Sequence, residues 1–119
     1  MLREAEHTTH YSGVDRSGTA VAVTTTINSL YGSLATVSGA GFLLNNEMDD
    51  FAARPGSANQ FGLVQGASNG IEPKKRMLSA MSPTILIDPT GRVKVVTGSP
   101  GGPTIITTVA QMISNVVDF

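Results

Sequence analysis

The chain has 119 residues, with eight Lys and Arg against nine Asp and Glu for a net charge of −1, two histidines and no cysteine. That length supports one domain with a small core, and the balanced charge gives no basic field to draw in nucleic acid or an anionic membrane. Disulfides and thiolate metal sites are excluded, His7 and His10 are too few for a metal triad, and no apolar run approaches the ~18 residues of a membrane-spanning segment.

Met1 to His7, MLREAEH, carries Arg3, Glu4 and Glu6 without a periodic pattern and reads as a leader. It is too short and too charged for a signal peptide, so the address of an exported protein would lie upstream. From Thr8 to Val14 and from Thr19 to Thr26 the residues are β-branched or alternate apolar with small polar, around the turn formers Asp15-Arg16-Ser17-Gly18. A β-hairpin is expected there. Ala20-Val21-Ala22-Val23 is apolar on both faces, as in a strand covered by layers on either side.

Ser29 to Ala40, with Gly32 and Gly39, reads as a loop, and Gly41 to Leu44 as a short strand entering the acidic cluster Asn45 to Phe51. Ala52 to Lys75 holds Pro55, Gly56, Gly62, Gly66, Gly70 and Pro73 with few apolar residues, a long connection expected to lack secondary structure of its own. Ile85 to Asp88 and Val93 to Thr97 flank Pro89-Thr90-Gly91-Arg92 and predict a second hairpin. Beyond Pro103, which suits a helix start, Ile105, Val109, Met112 and Val116 recur at helical spacing beside Ile106, Ile113 and Val117. An amphipathic helix whose apolar stripe lies on a sheet is expected.

Thr8 is the first candidate for chemistry. A threonine hydroxyl needs a base, and cleavage between His7 and Thr8 would create one in the α-amine, whose ordinary pKa of roughly 7.7–8.0 lies near neutral pH. Within Thr24-Thr25-Thr26 and Asn28, strand alternation puts 24, 26 and 28 on one face and Thr25 on the other. Glu47, Asp49 and Asp50 are a solvated loop on the plainest reading, or the counter-charge for a cation. Gly101-Gly102, between a strand and a helix start, is either a simple turn or a place where two unobstructed N–H groups converge on an oxyanion.

TTHYSGVD, LLNNEMDDF, LSAMSPTI and VTGSPGG, in that order from Thr8 to Gly102, together resemble the small, catalytic subunit of the gamma-glutamyltranspeptidase family of N-terminal nucleophile hydrolases. The resemblance covers nearly the whole chain, and the family's small subunit continues well past the equivalent of Phe119, so the chain looks like a fragment. It implies an α+β fold that is part of an αββα four-layer sandwich, with 1–7 as the end of the large-subunit region and 8–119 as a partial small-subunit catalytic domain.

By resemblance, Thr8 is the nucleophile, Thr26 a second threonine that hydrogen-bonds it, and the Gly101 and Gly102 amides the oxyanion hole. Asn28 helps hold substrate, Glu47 and Asp50 bind the α-ammonium of the glutamyl group, and Ser79 binds its α-carboxylate. Asp49 receives no role. Residues 55–70 resemble a lid with an aromatic gate residue at Phe61. Ala80 departs from the family pattern of two serines and removes one hydroxyl donor. Lys74, Lys75 and Arg76 read as a solvated basic run, not as the arginine that the family's large subunit supplies.

The implied activity is transfer of the γ-glutamyl group of glutathione-type peptides to water or amino acids through a threonyl acyl-enzyme, without a cofactor. The implied partner is the large subunit, and the implied location periplasmic or secreted. Two alternatives stand beside it: a beta-lactam side-chain acylase, which the ammonium-seeking Glu47 and Asp50 disfavour, and a non-catalytic light-chain remnant acting through protein contacts.

Overall fold

Strand formers on either side of two D-x-[ST]-G sequences fold into antiparallel hairpins in a computed structural model that describes residues 8–119. The segment 1–7, expected to be a leader, lies outside the described residues. The described chain divides into two units, one of residues 8–26 with Ala80–Phe119, the other Ile27–Ser79.

In the first unit β1 (Thr8–Val14) pairs with β2 (Ala20–Thr26), Thr8 opposite Thr26 and His10 opposite Thr24. β3 (Thr84–Ile87) pairs with β4 (Val93–Thr97), with a register shift between Leu86 and Ile87. Both hairpins close in the same way. Asp15 Oδ1 accepts from the N–H groups of Ser17 (2.8 Å) and Thr19 (2.9 Å), and Gly18, at φ 89°, donates to Asp15 O at 3.1 Å. Asp88 Oδ1 accepts from Thr90 (2.8 Å) and Arg92 (3.0 Å), and Gly91, at φ 85°, donates to Asp88 O at 2.9 Å. An aspartate supplies the acceptor, and a glycine takes the left-handed conformation that other residues avoid. These bonds hold both carboxyls below the usual carboxylate range, led by the hydroxyls of Ser17 and Thr90.

A 3-10 turn (Gly102–Thr104) with Pro103 near its start leads into α1 (Ile105–Asp118). Ile105 and Val109 are almost wholly buried, at 1% and 2% exposure, whereas Met112, Val116 and Val117 further along stand exposed. The expected apolar stripe is therefore covered over the first turns of α1 only. Val21 of β2 is exposed as well, so a strand apolar on both faces is not covered on both in this chain. At the end of β4 the backbone approaches β1 so closely that a Cβ on Gly98 would stand 2.3 Å from the ring of His10.

The second unit is built from turns. The strand expected over 41–44 is not formed: Gly39 and Gly41 take φ values of 79° and 73°, which break an extended ladder, and only an isolated bridge joins Thr36 to Leu43. Glu47–Asp50 and Ala67–Asn69 are 3-10 turns, and Phe51 and Ala52 are buried. The long connection is more ordered than its composition suggests, because Asn59 to Leu63 repeats the hairpin turns of the first unit. Asn59 Oδ1 accepts from Phe61 and Leu63 N–H at 3.0 Å each, Gly62 (φ 77°) donates to Asn59 O at 2.9 Å, and Ala58 and Val64 bridge across its base.

Candidate active site

Thr8 opens β1 directly opposite Thr26. Both are half-buried while Thr9 and Thr25 are exposed, as strand alternation requires, so the two hydroxyl-bearing side chains share the inward face of the hairpin. Two cross-strand pairs further along, His10 Nδ1 lies 2.8 Å from Thr24 Oγ1 and its Nε2 2.9 Å from Ser12 Oγ. His10 thus has a structural place beside Thr8, packed on Gly98.

Gly101 and Gly102 carry φ values of 132° and 54°, a pair that only glycines adopt without strain. They stand at the positive end of the helical run that continues into α1, and no acceptor among the described residues takes either N–H. The Gly101 carbonyl is occupied by Thr104, through its N–H at 3.1 Å and its Oγ1 at 2.8 Å. Two outward amides at a helix start can stabilise an anion.

In the second unit Asn28 is buried and left-handed, at φ 73°. β2 ends at Thr26, so the strand alternation invoked for residues 24, 26 and 28 does not reach Asn28; its side chain is aimed by donation from Nδ2 to Asn46 O at 3.4 Å instead. Asn46 binds the same segment through Ser29, accepting its N–H at 3.1 Å and donating to its Oγ at 2.8 Å.

Glu47 and Asp50 begin and end one 3-10 turn, both half-buried, and neither has an ion-pair partner among the described residues. Burial, and then the charge of Asp50, pushes the Glu47 carboxyl above its ordinary value. Burial, and then Asp49, does the same to Asp50. Two partly desolvated carboxylates without a counter-charge are a site for a cation with hydrogen-bond donors. Ser79 is exposed in a segment without regular structure, one residue beyond Leu78, whose N–H goes to Asn69 Oδ1 at 3.0 Å. Of the basic run, Lys75 is paired with Glu72 at 2.7 Å.

The sequence reading passed over Asp49, Asn59 and Asn69, which frame this acidic turn. Asp49 Oδ2 accepts the Gln60 N–H at 3.0 Å, Asn59 Nδ2 donates to Asp49 O at 3.4 Å, and Asn69 Nδ2 donates to Asp50 O at 2.7 Å. The signal that could have found them is the N-x-x-G spacing of Asn59 and Gly62, which repeats the D-x-x-G of the two strand hairpins.

Paired hairpins, a glycine turn entering a helix and a threonine at the head of the first strand agree with the part of an N-terminal nucleophile hydrolase fold that the resemblance implies. Comparison with known proteins narrows this. The family model described as Gamma-glutamyltranspeptidase matches residues 2–119. The glutathione hydrolase proenzyme of Escherichia coli is 53% identical over 116 residues, covering 98% of this chain and 20% of its own length. Among solved structures, a mutant of the Helicobacter pylori gamma-glutamyltranspeptidase superposes with a TM-score of 0.85 at 62% identity, covering 92% of this chain and 59% of that one. The Pseudomonas nitroreducens gamma-glutamyltranspeptidase complexed with L-DON gives a TM-score of 0.87 at 54% identity, covering 93% and 57%. The chain belongs to the gamma-glutamyltranspeptidase family, and it spans about a fifth of the length of the curated relatives it matches.

Proposed function

We propose that this chain is the nucleophile-bearing part of a glutathione hydrolase or γ-glutamyltransferase, acting with the large subunit of the same enzyme. Thr8 is its nucleophile. The hydroxyl of Thr8 first attacks the peptide carbonyl before it; the C–N bond breaks and frees the α-amine as the acyl group moves to Oγ, and hydrolysis of that ester returns the hydroxyl and separates the two chains. That amine then takes the hydroxyl proton as Thr8 Oγ attacks the γ-glutamyl carbonyl of a glutathione-type peptide. Thr26 hydrogen-bonds the nucleophile, and the Gly101 and Gly102 amides receive the oxyanion. The amide nitrogen leaves with the proton, and the acyl group passes from Thr8 to water or to an amino acid. Glu47 and Asp50 hold the substrate ammonium, Asn28 and Ser79 other polar groups of the glutamyl moiety.

The observation that carries this reading is the facing pair Thr8 and Thr26 on the half-buried side of β1–β2, in a chain of this family. Two carboxylates with raised pKa values and no ion-pair partner among the described residues support the ammonium assignment. The test is made in a full-length proenzyme carrying this segment. Cleavage before Thr8, followed by mass spectrometry, should accompany the appearance of γ-glutamyl-anilide release; Thr8→Ala should abolish both and Thr9→Ala neither. Release by the uncut chain, or by Thr8→Ala, would overturn the assignment.

A further inference from the structure

The turn at Asn59 to Leu63 shares its backbone hydrogen bonds with the turns at Asp15 and Asp88, lacks at Phe61 the hydroxyl that Ser17 and Thr90 donate to the aspartate, and differs from them in two further ways. At its first position the carboxylate is replaced by a carboxamide, whose spare Nδ2 donates to Asp49 O at 3.4 Å. At its second position the Gln60 N–H is taken by Asp49 Oδ2 at 3.0 Å. In the other turns that position is Pro89, which has no N–H, or Arg16, whose N–H meets no acceptor among the described residues. Both departures point at one residue of the acidic turn. The same connection then grips the next carbonyl: Asp50 O accepts from Gln65 Nε2 at 3.1 Å and from Asn69 Nδ2 at 2.7 Å, and those two carboxamides are bonded to each other. Backbone and Asp49 are thus engaged, while the carboxylates of Glu47 and Asp50 have no cation partner among the described residues.

We infer that Asp49 and Asn59 are positioning residues of the ammonium subsite, latching the preformed 59–63 hairpin turn to the acidic 3-10 turn so that Glu47 and Asp50 are held ready for the substrate's amino group. This rests on the proposed role of Glu47 and Asp50. The latch works through geometry: a 3-10 turn of four residues has few internal bonds to fix its carboxylates, and the bonds from the hairpin supply the missing restraint. It acts on amino-bearing donors only.

The three turns also supply the control. Aspartate at the first position is compatible with the turn, as Asp15 and Asp88 demonstrate, so Asn59→Asp keeps the turn acceptor while losing the Nδ2 donor. In the processed full-length enzyme, Asn59→Asp should raise KM for a γ-glutamyl anilide roughly three- to tenfold, the worth of one neutral hydrogen bond, and Asp49→Ala at least as much because it removes a charge-assisted bond, with kcat and the KM of a glutaryl anilide unchanged. Asp49→Asn retains an acceptor for the Gln60 N–H and should behave close to wild type. Amide hydrogen exchange of the unliganded protein should show Gln60 losing protection in Asp49→Ala while Phe61 and Leu63 keep theirs. KM values that move together for both donors, an Asp49→Asn as impaired as Asp49→Ala, or a Gln60 amide indifferent to Asp49→Ala would each overturn the inference. Should Asn59→Asp not fold, the two Asp49 variants carry the test. Equal use of both anilides by the wild type would instead defeat the ammonium assignment, and Gln60 exchange would still decide whether the latch exists.

Discussion

Removing the α-amino group from a γ-glutamyl donor tests the acidic turn most directly. Were Glu47 and Asp50 fully solvated, an ammonium beside them would contribute no more than the ~1 kcal/mol of a surface pair. They are half-buried, their pKa values are raised by burial and by neighbouring carboxylates, and no cation among the described residues satisfies them. A contact of this kind falls in the range of about 1.5–3 kcal/mol for hydrogen bonds to charged groups, or roughly ten- to 150-fold in kcat/KM at 1.4 kcal/mol per decade. The assay compares γ-glutamyl and glutaryl anilides in the processed enzyme, and Glu47→Gln or Asp50→Asn should collapse the ratio. Its pH dependence follows from the direction of the shifts. A carboxyl with a raised pKa must lose its proton before it can hold an ammonium, so the preference should grow as pH rises through a window above the ordinary carboxylate range and vanish below it. In the unliganded protein the sign is opposite: between the unfolded and the raised folded pKa the native state binds more protons, so the contribution of these two groups to stability falls as pH rises through the same window. Equal kcat/KM for both donors at neutral pH would refute the reasoning.

Three further outcomes are expected. Gly32→Ala should destabilise the protein by about 1–3 kcal/mol in chemical denaturation, because Gly32 sits at φ 53° with a Cβ position 2.1 Å from Leu44 O; an unchanged midpoint would contradict that packing. Gly98→Ala should displace the His10 ring from Thr24 and Ser12, with a comparable loss that His10→Ala suppresses in the double variant, and simple additivity in the cycle would show that the two residues do not touch. Ala80→Ser restores the hydroxyl that the family pattern places after Ser79 and should lower KM for the γ-glutamyl donor; an unchanged KM would mean that backbone amides already bind the carboxylate.

The strand hairpins were legible because two signals coincide in them. Alternating β-branched residues run on both sides of D-R-S-G and D-P-T-G, and the structure places the strands within a residue or so of the expectation. The turn at Asn59 carries the same N-x-x-G chemistry, but only Ala58 and Val64 bridge beside it, too little strand for a period of two to register. Gly41 to Leu44 failed for the converse reason: its apolar residues resemble a strand, but the left-handed glycines at 39 and 41 decide the backbone. For α1 the periodicity was correct and its burial was not, since periodicity reports which face is apolar and not how much covering surface one chain provides. For Asn28 the alternation argument fails because it extends two residues past the end of β2. The acidic cluster was visible as composition. What composition could not reveal is that Asp49 is spent on a backbone amide while Glu47 and Asp50 have no ion-pair partner among the described residues.

The Asp15 turn has a further consequence as a ruler. Thr8 lies at the open end of its hairpin, seven paired positions from the closing turn, and nothing in the order of residues along β1 itself dictates whether Thr8 or Thr9 faces inward. That choice is made by the length of the segment between Val14 and Ala20, because a strand whose side chains alternate inverts both faces when its register slips by one. An insertion of a single residue at this exposed loop tip that slipped the pairing by one would carry Thr8 and His10 to the outer surface and bring Thr9 and Tyr11 in, without altering one residue of the strands.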